Sequence, residues 1–267
     1  MASSKERLDR LLVARGLAPT REKARSLVLA GRVRCGTTRL DKPGAAVPAD
    51  LDIEVEPGAR YVGRGGHKLA GALAGLSVSV SGRDALDVGA STGGFTQVLL
   101  EAGARRVVAL DVGRGQLDWG LRNDPRVILL EGVNARYLER DRLPYVPSLA
   151  TVDVSFISLR QVLPAVVRCC DEGGDVLALA KPQFEVGRRR VGRGGVVRDP
   201  ALHREVLLDL ARFASRSYWA VAGVCASPLA GAEGNREFFL HLRPGAPPVA
   251  EADVLARIDA AVAETAE

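Results

Sequence analysis

The sequence predicts an α/β protein with a doubly wound, mostly parallel sheet and a small α+β module ahead of it. Three observations carry that prediction. From Arg83 onward short apolar runs alternate with helical segments almost to the end of the chain, one run empties into a glycine-rich turn, and positive charge is concentrated in the first fifth. With 267 residues and 47% hydrophobic composition, the chain has material for two cores.

In the first module Leu8, Leu11 and Leu12 recur at helical spacing and Gly16 supplies a stop. A second short helix follows, with Thr20 as N-cap, Ala24, Leu27 and Val28 as its apolar face, and Gly31 as its end. Val33–Cys35 reads as a strand, and Leu51, Ile53 and Val55 alternate with acids as in a half-buried strand. Asp9, in the first helix, is read as a surface residue. Arg21, Lys23, Arg25 and Arg32 are free to face outward. Residues 1–47 hold eleven Lys and Arg against four acids, while the whole chain carries only +5, so the rest is slightly acidic. Basicity confined to one end suits docking onto a polyanion. Arg188, Arg189 and Arg190 form a second basic cluster.

The predicted boundaries are a module over 1–57, a linker over 58–62 that follows Pro57 and starts at Gly58, and a larger domain over 63–267. In that domain Arg83–Val88, Arg106–Leu110, Val127–Leu130, Leu149–Val154 and Val176–Ala180 read as strands, with helices over Gly94–Glu101, Leu159–Cys170 and Leu202–Ser215. Trp219–Ala226 and Glu237–Leu242 read as a closing antiparallel pair, and Asp253–Ala263 as a terminal helix.

Ligands of open α/β sheets sit at the carboxyl ends of the strands. There the first strand gives Asp87 and the turn Gly89, Ala90, Ser91, Thr92, Gly93, Gly94, Phe95 and Thr96. Glycines allow positive φ and close approach to a ligand. The spacing departs from the Gly-x-Gly-x-x-Gly dinucleotide fingerprint, and a carboxylate at Asp87 suits an amino group, such as the methionine end of S-adenosylmethionine. The second strand ends at Asp111, where a carboxylate can accept ribose hydroxyls, and the third leads to Asn134 near an adenine edge. A dehydrogenase would use Asp111 in the same way, so the pairing with the turn carries the methyltransferase reading. Strands four and five end at Asp153 and Lys181. Lysine can become a neutral base when desolvated beside another cation; a structural ion pair with Asp153 is the other reading.

The N-terminal module resembles the S4 RNA-binding domain. Lys68 in Gly63-Arg64-Gly65-Gly66-His67-Lys68, Asp153, Lys181, and Glu237 in Gly234-Asn235-Arg236-Glu237 match in order and context the Lys-Asp-Lys-Glu tetrad of FtsJ-like RNA ribose 2′-O-methyltransferases. Together the two domains resemble the TlyA (haemolysin-A-like) branch. The resemblance implies a Rossmann-like class I methyltransferase sheet, S-adenosyl-L-methionine as cofactor, and methylation of cytidine 2′-hydroxyls in ribosomal RNA. It also implies Lys68, Asp153, Lys181 and Glu237 as catalytic residues, with Arg21, Lys23, Arg25, Arg32, Arg64, Arg188, Arg189 and Arg190 facing RNA. The expected partner is ribosomal RNA within ribosomal subunits, bound by a monomer. A non-catalytic RNA-binding or ribosome-assembly factor is the alternative.

No run of about 18 apolar residues is present and the N-terminus lacks an apolar signal segment. A cytoplasmic protein without membrane contact is therefore expected. Cys35, Cys169, Cys170 and Cys225 lack C-x-x-C spacing, so neither disulfides nor a metal site is expected.

Overall fold

A computed structural model describes residues 4–56, 60–187, 190–217 and 219–265. The chain divides into two units, Met1–Arg60 and Tyr61–Glu267.

The first unit is built from β1 (Lys5–Arg7), α1 (Leu8–Ala14), α2 (Arg21–Leu29), β2 (Val33–Cys35), β3 (Thr38–Arg39), β4 (Ala46–Pro48) and β5 (Glu54–Val55). Leu8, Leu11 and Leu12 of α1 meet Ala24, Leu27 and Val28 of α2 in one core. Thr20 Oγ1 accepts the Lys23 N–H at 3.2 Å, capping α2. Strand β1 pairs with β4, and β2 lies between β3 and β5. The strand expected over Leu51–Val55 pairs only at Glu54 and Val55, although Ile53 is still buried. Strands of two or three residues are too short to show alternation in sequence.

Asp9 is not a surface residue: it is fully buried, its carboxylate held by Arg7 and Arg21 at 3.0 Å each. The hydrogen bond from Arg7, aided by Arg21, holds its pKa down near 2 against the opposing effect of burial. Charge spacing alone gave no sign of this, because Arg21 comes from the other helix.

The second unit contains α3 (Arg64–Gly75), β6 (Asp84–Val88), α4 (Gly94–Glu101), β7 (Arg106–Asp111), α5 (Trp119–Arg122), β8 (Val127–Glu131), β9 (Leu149–Val152), α6 (Leu159–Cys169), β10 (Asp175–Ala180), α7 (Pro182–Glu185), α8 (Pro200–Arg216), β11 (Trp219–Ala226), β12 (Phe238–Pro244) and α9 (Glu251–Ala263). The sheet order is β11-β12-β10-β9-β6-β7-β8. Its five strands β10, β9, β6, β7 and β8 are parallel, and β12 and β11 close one edge antiparallel. Strand β6 is buried along its whole length, as expected for a sheet covered on both faces. Leu86 and Val88 point into one core with Leu159, Leu163 and Leu207, whereas Ala85 points into the other with Leu69, Phe95 and Leu99.

Helix α3 has a glycine-rich start that propensity disfavours, which hid it in the sequence. Its glycines serve close approach: a Cβ on Gly94 would lie 2.8 Å from the Gly66 nitrogen, and one on Gly66 would overlap the Tyr61 ring. Tyr61, inside the expected linker, is buried in the core of the second unit. Cys169 and Cys170 are buried, and burial raises the Cys170 thiol to about 12. No helix among the described residues is long and apolar enough to cross a membrane.

Candidate active site

The turn after β6 has a shape that only its sequence permits. Gly89 sits at φ +84°, and a Cβ there would lie 2.1 Å from the Asp153 carbonyl oxygen. Glycine is therefore required for β6 and β9 to approach at this point. Ser91 is also left-handed, at φ +48°, and its N–H donates to Asp111 Oδ2 at 2.8 Å. The other Asp111 oxygen accepts the Gly113 N–H at 2.7 Å. One carboxylate from β7 thus organises both the glycine turn and its own loop.

These loops enclose a cavity of about 500 Å³. Gly89, Ser91, Asp111, Gln116 and Asn134 give it polar walls, and Val112, Val133, Ala135 and Ile157 give it apolar ones. Asn134 Oδ1 also accepts the Arg136 N–H at 3.0 Å, which anchors it in the wall. A smaller hollow of about 220 Å³ shares Gly89, Ser91 and Asp153 and adds Arg64, Gly65, Ala90, Thr92, Gly94 and Phe95. A mostly apolar slot with few convergent polar groups suits a nucleoside.

Asp87 does not belong to the wall of either hollow. The two-residue alternation of β6 turns Val88 toward the cavity and Asp87 the other way, where its oxygens accept the hydroxyls of Thr96 at 2.6 Å and Thr151 at 2.9 Å. Thr96 is likewise fully buried, and Gly93, at φ +97°, packs against Leu117 and Leu121. These contacts brace the turn from behind, and Asp87, Gly93 and Thr96 line neither hollow.

Burial is the main cause that raises the Asp87 carboxyl to about 6, opposed by the two hydroxyls. The folded chain then binds the Asp87 proton more tightly than the unfolded one, so stability falls as pH rises from about 4 to about 6. Asp87→Asn is expected to remove that slope and to gain stability at pH 7.5 relative to pH 4.5, on the order of 1–3 kcal/mol. Urea unfolding of both proteins at the two pH values measures it; parallel pH dependences would refute the assignment.

At the carboxyl ends of the neighbouring strands four charged side chains form two pairs. Lys68 of α3 donates to Glu237 Oε2 at 2.5 Å, and both side chains are nearly buried, 9% and 3% exposed. Lys181 Nζ lies 2.6 Å from Asp153 Oδ1 and donates to Ser155 Oγ at 2.9 Å. Sheet register makes the pairs neighbours: Ala180 faces Phe238 across β10 and β12, which places Lys181 and Glu237 side by side. Asp153 follows β9, whose Val152 pairs with Val88 of the turn strand.

The basic residues expected to face RNA fall into different groups. Lys23 and Arg25 are exposed on α2. Arg21 is half exposed while engaged by Asp9, and Arg32 donates to the Glu56 carbonyl. Arg64 lines the smaller hollow and donates to the Ala230 carbonyl at 2.7 Å. Arg190 pairs with Glu205 at 2.5 Å. Arg188 and Arg189 lie outside the described residues.

Sequence reasoning missed Ser155, Gln116 and the aromatic pair of Phe156 and Phe184. Phe156 lines the cavity yet is 90% exposed, sits at φ +63°, and its ring centroid is 5.0 Å from that of Phe184. The apolar pair Phe156-Ile157 between Ser155 and Ser158 at a strand end was the available signal. Among the described residues no group of three His, Cys, Asp or Glu side chains could hold a metal ion.

Residues 61–244 match the FtsJ-like methyltransferase family model, and residues 6–53 match the S4 domain. The 16S/23S rRNA (cytidine-2′-O)-methyltransferase TlyA of Mycobacterium tuberculosis is 50% identical over 89% of this chain and 89% of its own length. YqxC of Bacillus subtilis, by name an inferred rRNA methyltransferase, is 48% identical over 92% of this chain and 88% of its own. A solved structure of a hemolysin-named protein from Streptococcus thermophilus shares 42% identity, covers 98% of each chain and superimposes with a TM-score of 0.73. With the match running from Tyr61 through both lysine–carboxylate pairs to Pro244, the chain belongs to the FtsJ-like methyltransferase family.

Proposed function

We propose that this methyltransferase moves a methyl group from S-adenosylmethionine to the 2′-hydroxyl of cytidine in ribosomal RNA, as its relative TlyA does by name. The observation that carries the reading is Lys181, held between Asp153 and Ser155 beside a nucleoside-sized cavity. The residues present suit the cofactor. Asp111 can take its ribose hydroxyls and the apolar walls its adenine, beside a turn whose Gly89 lines the cavity with bare backbone.

When bound, the cofactor supplies a methyl carbon activated by a sulfonium. The chain's own task is to place and deprotonate a weak nucleophile. Lys181, as the neutral amine, would accept the proton of the 2′-hydroxyl and, as the ammonium so formed, would face the negative charge left on that oxygen, which would attack the methyl carbon that the bound cofactor supplies. Asp153 holds the resulting ammonium, and Ser155 restricts where Lys181 points. The Lys68–Glu237 pair adds a second fixed ammonium alongside. Alignment of the oxygen with the methyl carbon contributes much of the acceleration.

For the substrate, the exposed Phe156 ring suits stacking of a base drawn out of RNA structure. Lys23 and Arg25 of the S4 domain suit phosphate contacts, which position RNA without reading its bases. The test is transfer from labelled cofactor to unmodified ribosomal subunits, followed by digestion to locate the modified sugar. Methyl label on a cytidine 2′-oxygen is the expected result. Salt-sensitive RNA binding with no methylated nucleotide would overturn it in favour of a non-catalytic RNA-binding factor.

A further inference from the structure

Glu185 is a half-buried carboxylate that the reaction above does not use. It ends α7, the short helix that starts immediately after Lys181. Its Oε2 accepts the Ser158 hydroxyl at 2.6 Å and its Oε1 accepts the Leu159 N–H at 2.7 Å, both at the start of α6. Ser158 in turn caps α6 by accepting the Arg160 N–H at 3.2 Å. Burial raises the Glu185 carboxyl above the usual range, so the group is kept there against a desolvation cost.

The same two segments touch at three further places. Lys181 meets Asp153 and Ser155, and the Phe184 ring meets Phe156. Between the anchors at Asp153 and Ser158 lies Phe156, left-handed at φ +63° and nearly fully exposed. A non-glycine residue keeps such a conformation only where its surroundings enforce it. At the amino-terminal side that enforcement comes from Asp153, whose N–H donates to the Val88 carbonyl at 2.9 Å. At the carboxyl-terminal side it comes from Glu185.

We propose that Glu185 is a positioning residue: by fastening Ser158 and Leu159 it holds segment 153–158 in the shape that sets Ser155 against Lys181 and presents Phe156 at the cavity rim. The inference rests on the methyl-transfer reading of the same site. Removing the anchor frees one end of a strained segment, and small displacements of a reacting group are costly in rate.

The experiment compares wild type, Glu185→Ala, Glu185→Gln and Ser158→Ala for kcat on ribosomal subunits, cofactor affinity by calorimetry, and thermal midpoint. Glu185→Ala is expected to lower kcat by roughly 10- to 100-fold, with cofactor affinity changed far less. Glu185→Gln keeps an acceptor for the Leu159 N–H and is expected to recover kcat to within about fivefold. Ser158→Ala removes one of the two bonds and is expected to shift kcat in the same direction by less; it carries the test should Glu185→Ala not fold. Full kcat in either alanine variant overturns the inference, as does equal loss of kcat and cofactor affinity in both Glu185 variants. Failure of wild type to methylate is a separate result, which refutes the reaction and not the anchor.

Discussion

Lys181→Ala is expected to lower kcat by about 10²- to 10⁴-fold while the chain stays folded and binds its cofactor with little change, because in the proposed reaction the residue acts on the hydroxyl and not on the nucleoside cavity. Lys181 is absent from the walls of both hollows, and its partners Asp153 and Ser155 are partly open to solvent, so its loss leaves no sealed, uncompensated charge. Lys181→Arg separates two parts of the role. It places a permanent cation beside the developing alkoxide but cannot take a proton, so its activity is expected to remain far below wild type. Single-turnover methylation and cofactor titration on each variant give the answer. A folded, cofactor-binding Lys181→Ala enzyme with full activity would remove this lysine from the reaction.

Glu237→Ala is expected to cost stability as well as rate. Its partner Lys68 is only 9% exposed in its side chain and is reached across 169 positions of sequence. Taking away the carboxylate strands an ammonium in the interior, a change that costs about 3–5 kcal/mol when a buried pair is broken from one side. Removing both charges together, as in Lys68→Met with Glu237→Leu, is expected to restore much of that stability, since a buried pair replaced by apolar side chains is often neutral. The double variant is still expected to be at least about tenfold slower than wild type, because the fixed charges beside Lys181 are gone. Urea unfolding and kcat measured on all three proteins separate the contributions. Recovery of both stability and rate in the double variant would make the pair purely structural.

Much of the fold was legible because it is written in local chemistry. The buried run of β6, the capping hydroxyl of Thr20 and the length of α8 follow from periodicity and caps. Less was legible where glycine serves packing. Helix α3 begins Arg64-Gly65-Gly66, a poor helix start by propensity, and forms because its backbone approaches that of α4 at Gly94. The surroundings of Asp9 and Asp87 were hidden for a related reason. Each is polar, so composition puts it at a surface or a ligand, yet arginines from two elements enclose the first and threonines from α4 and β9 enclose the second.

The candidate site divides along the same line. The identities of Asp111, Asp153 and Lys181 could be read by walking to the end of each strand, because parallel strands in a doubly wound sheet deliver their carboxyl ends to one edge. The pairing of Lys181 with Asp153 was one of two readings of those strand ends, whereas Ser155 and the Lys68–Glu237 pair could not be read. Which carboxylate meets which lysine depends on register: Ala180 opposite Phe238 sets Lys181 beside Glu237, yet Lys181 turns to Asp153 and Ser155 while Glu237 turns to Lys68. The aromatic rim and the Glu185 anchor arise where two loops after non-adjacent elements meet.

By itself, then, the sequence determined the alternation of elements, the glycine turn at Gly89, the basic first module and the residue types at the strand ends, all properties of near neighbours in the chain. Tertiary structure alone decided that Asp87 braces the turn from behind, that Arg21 and Arg32 are engaged within their own unit, and that two lysine–carboxylate pairs stand side by side. The reason is physical. Side-chain charges and hydroxyls choose partners by distance in space, and a contact such as Lys68 with Glu237, 169 positions apart, exists only once the sheet has been ordered.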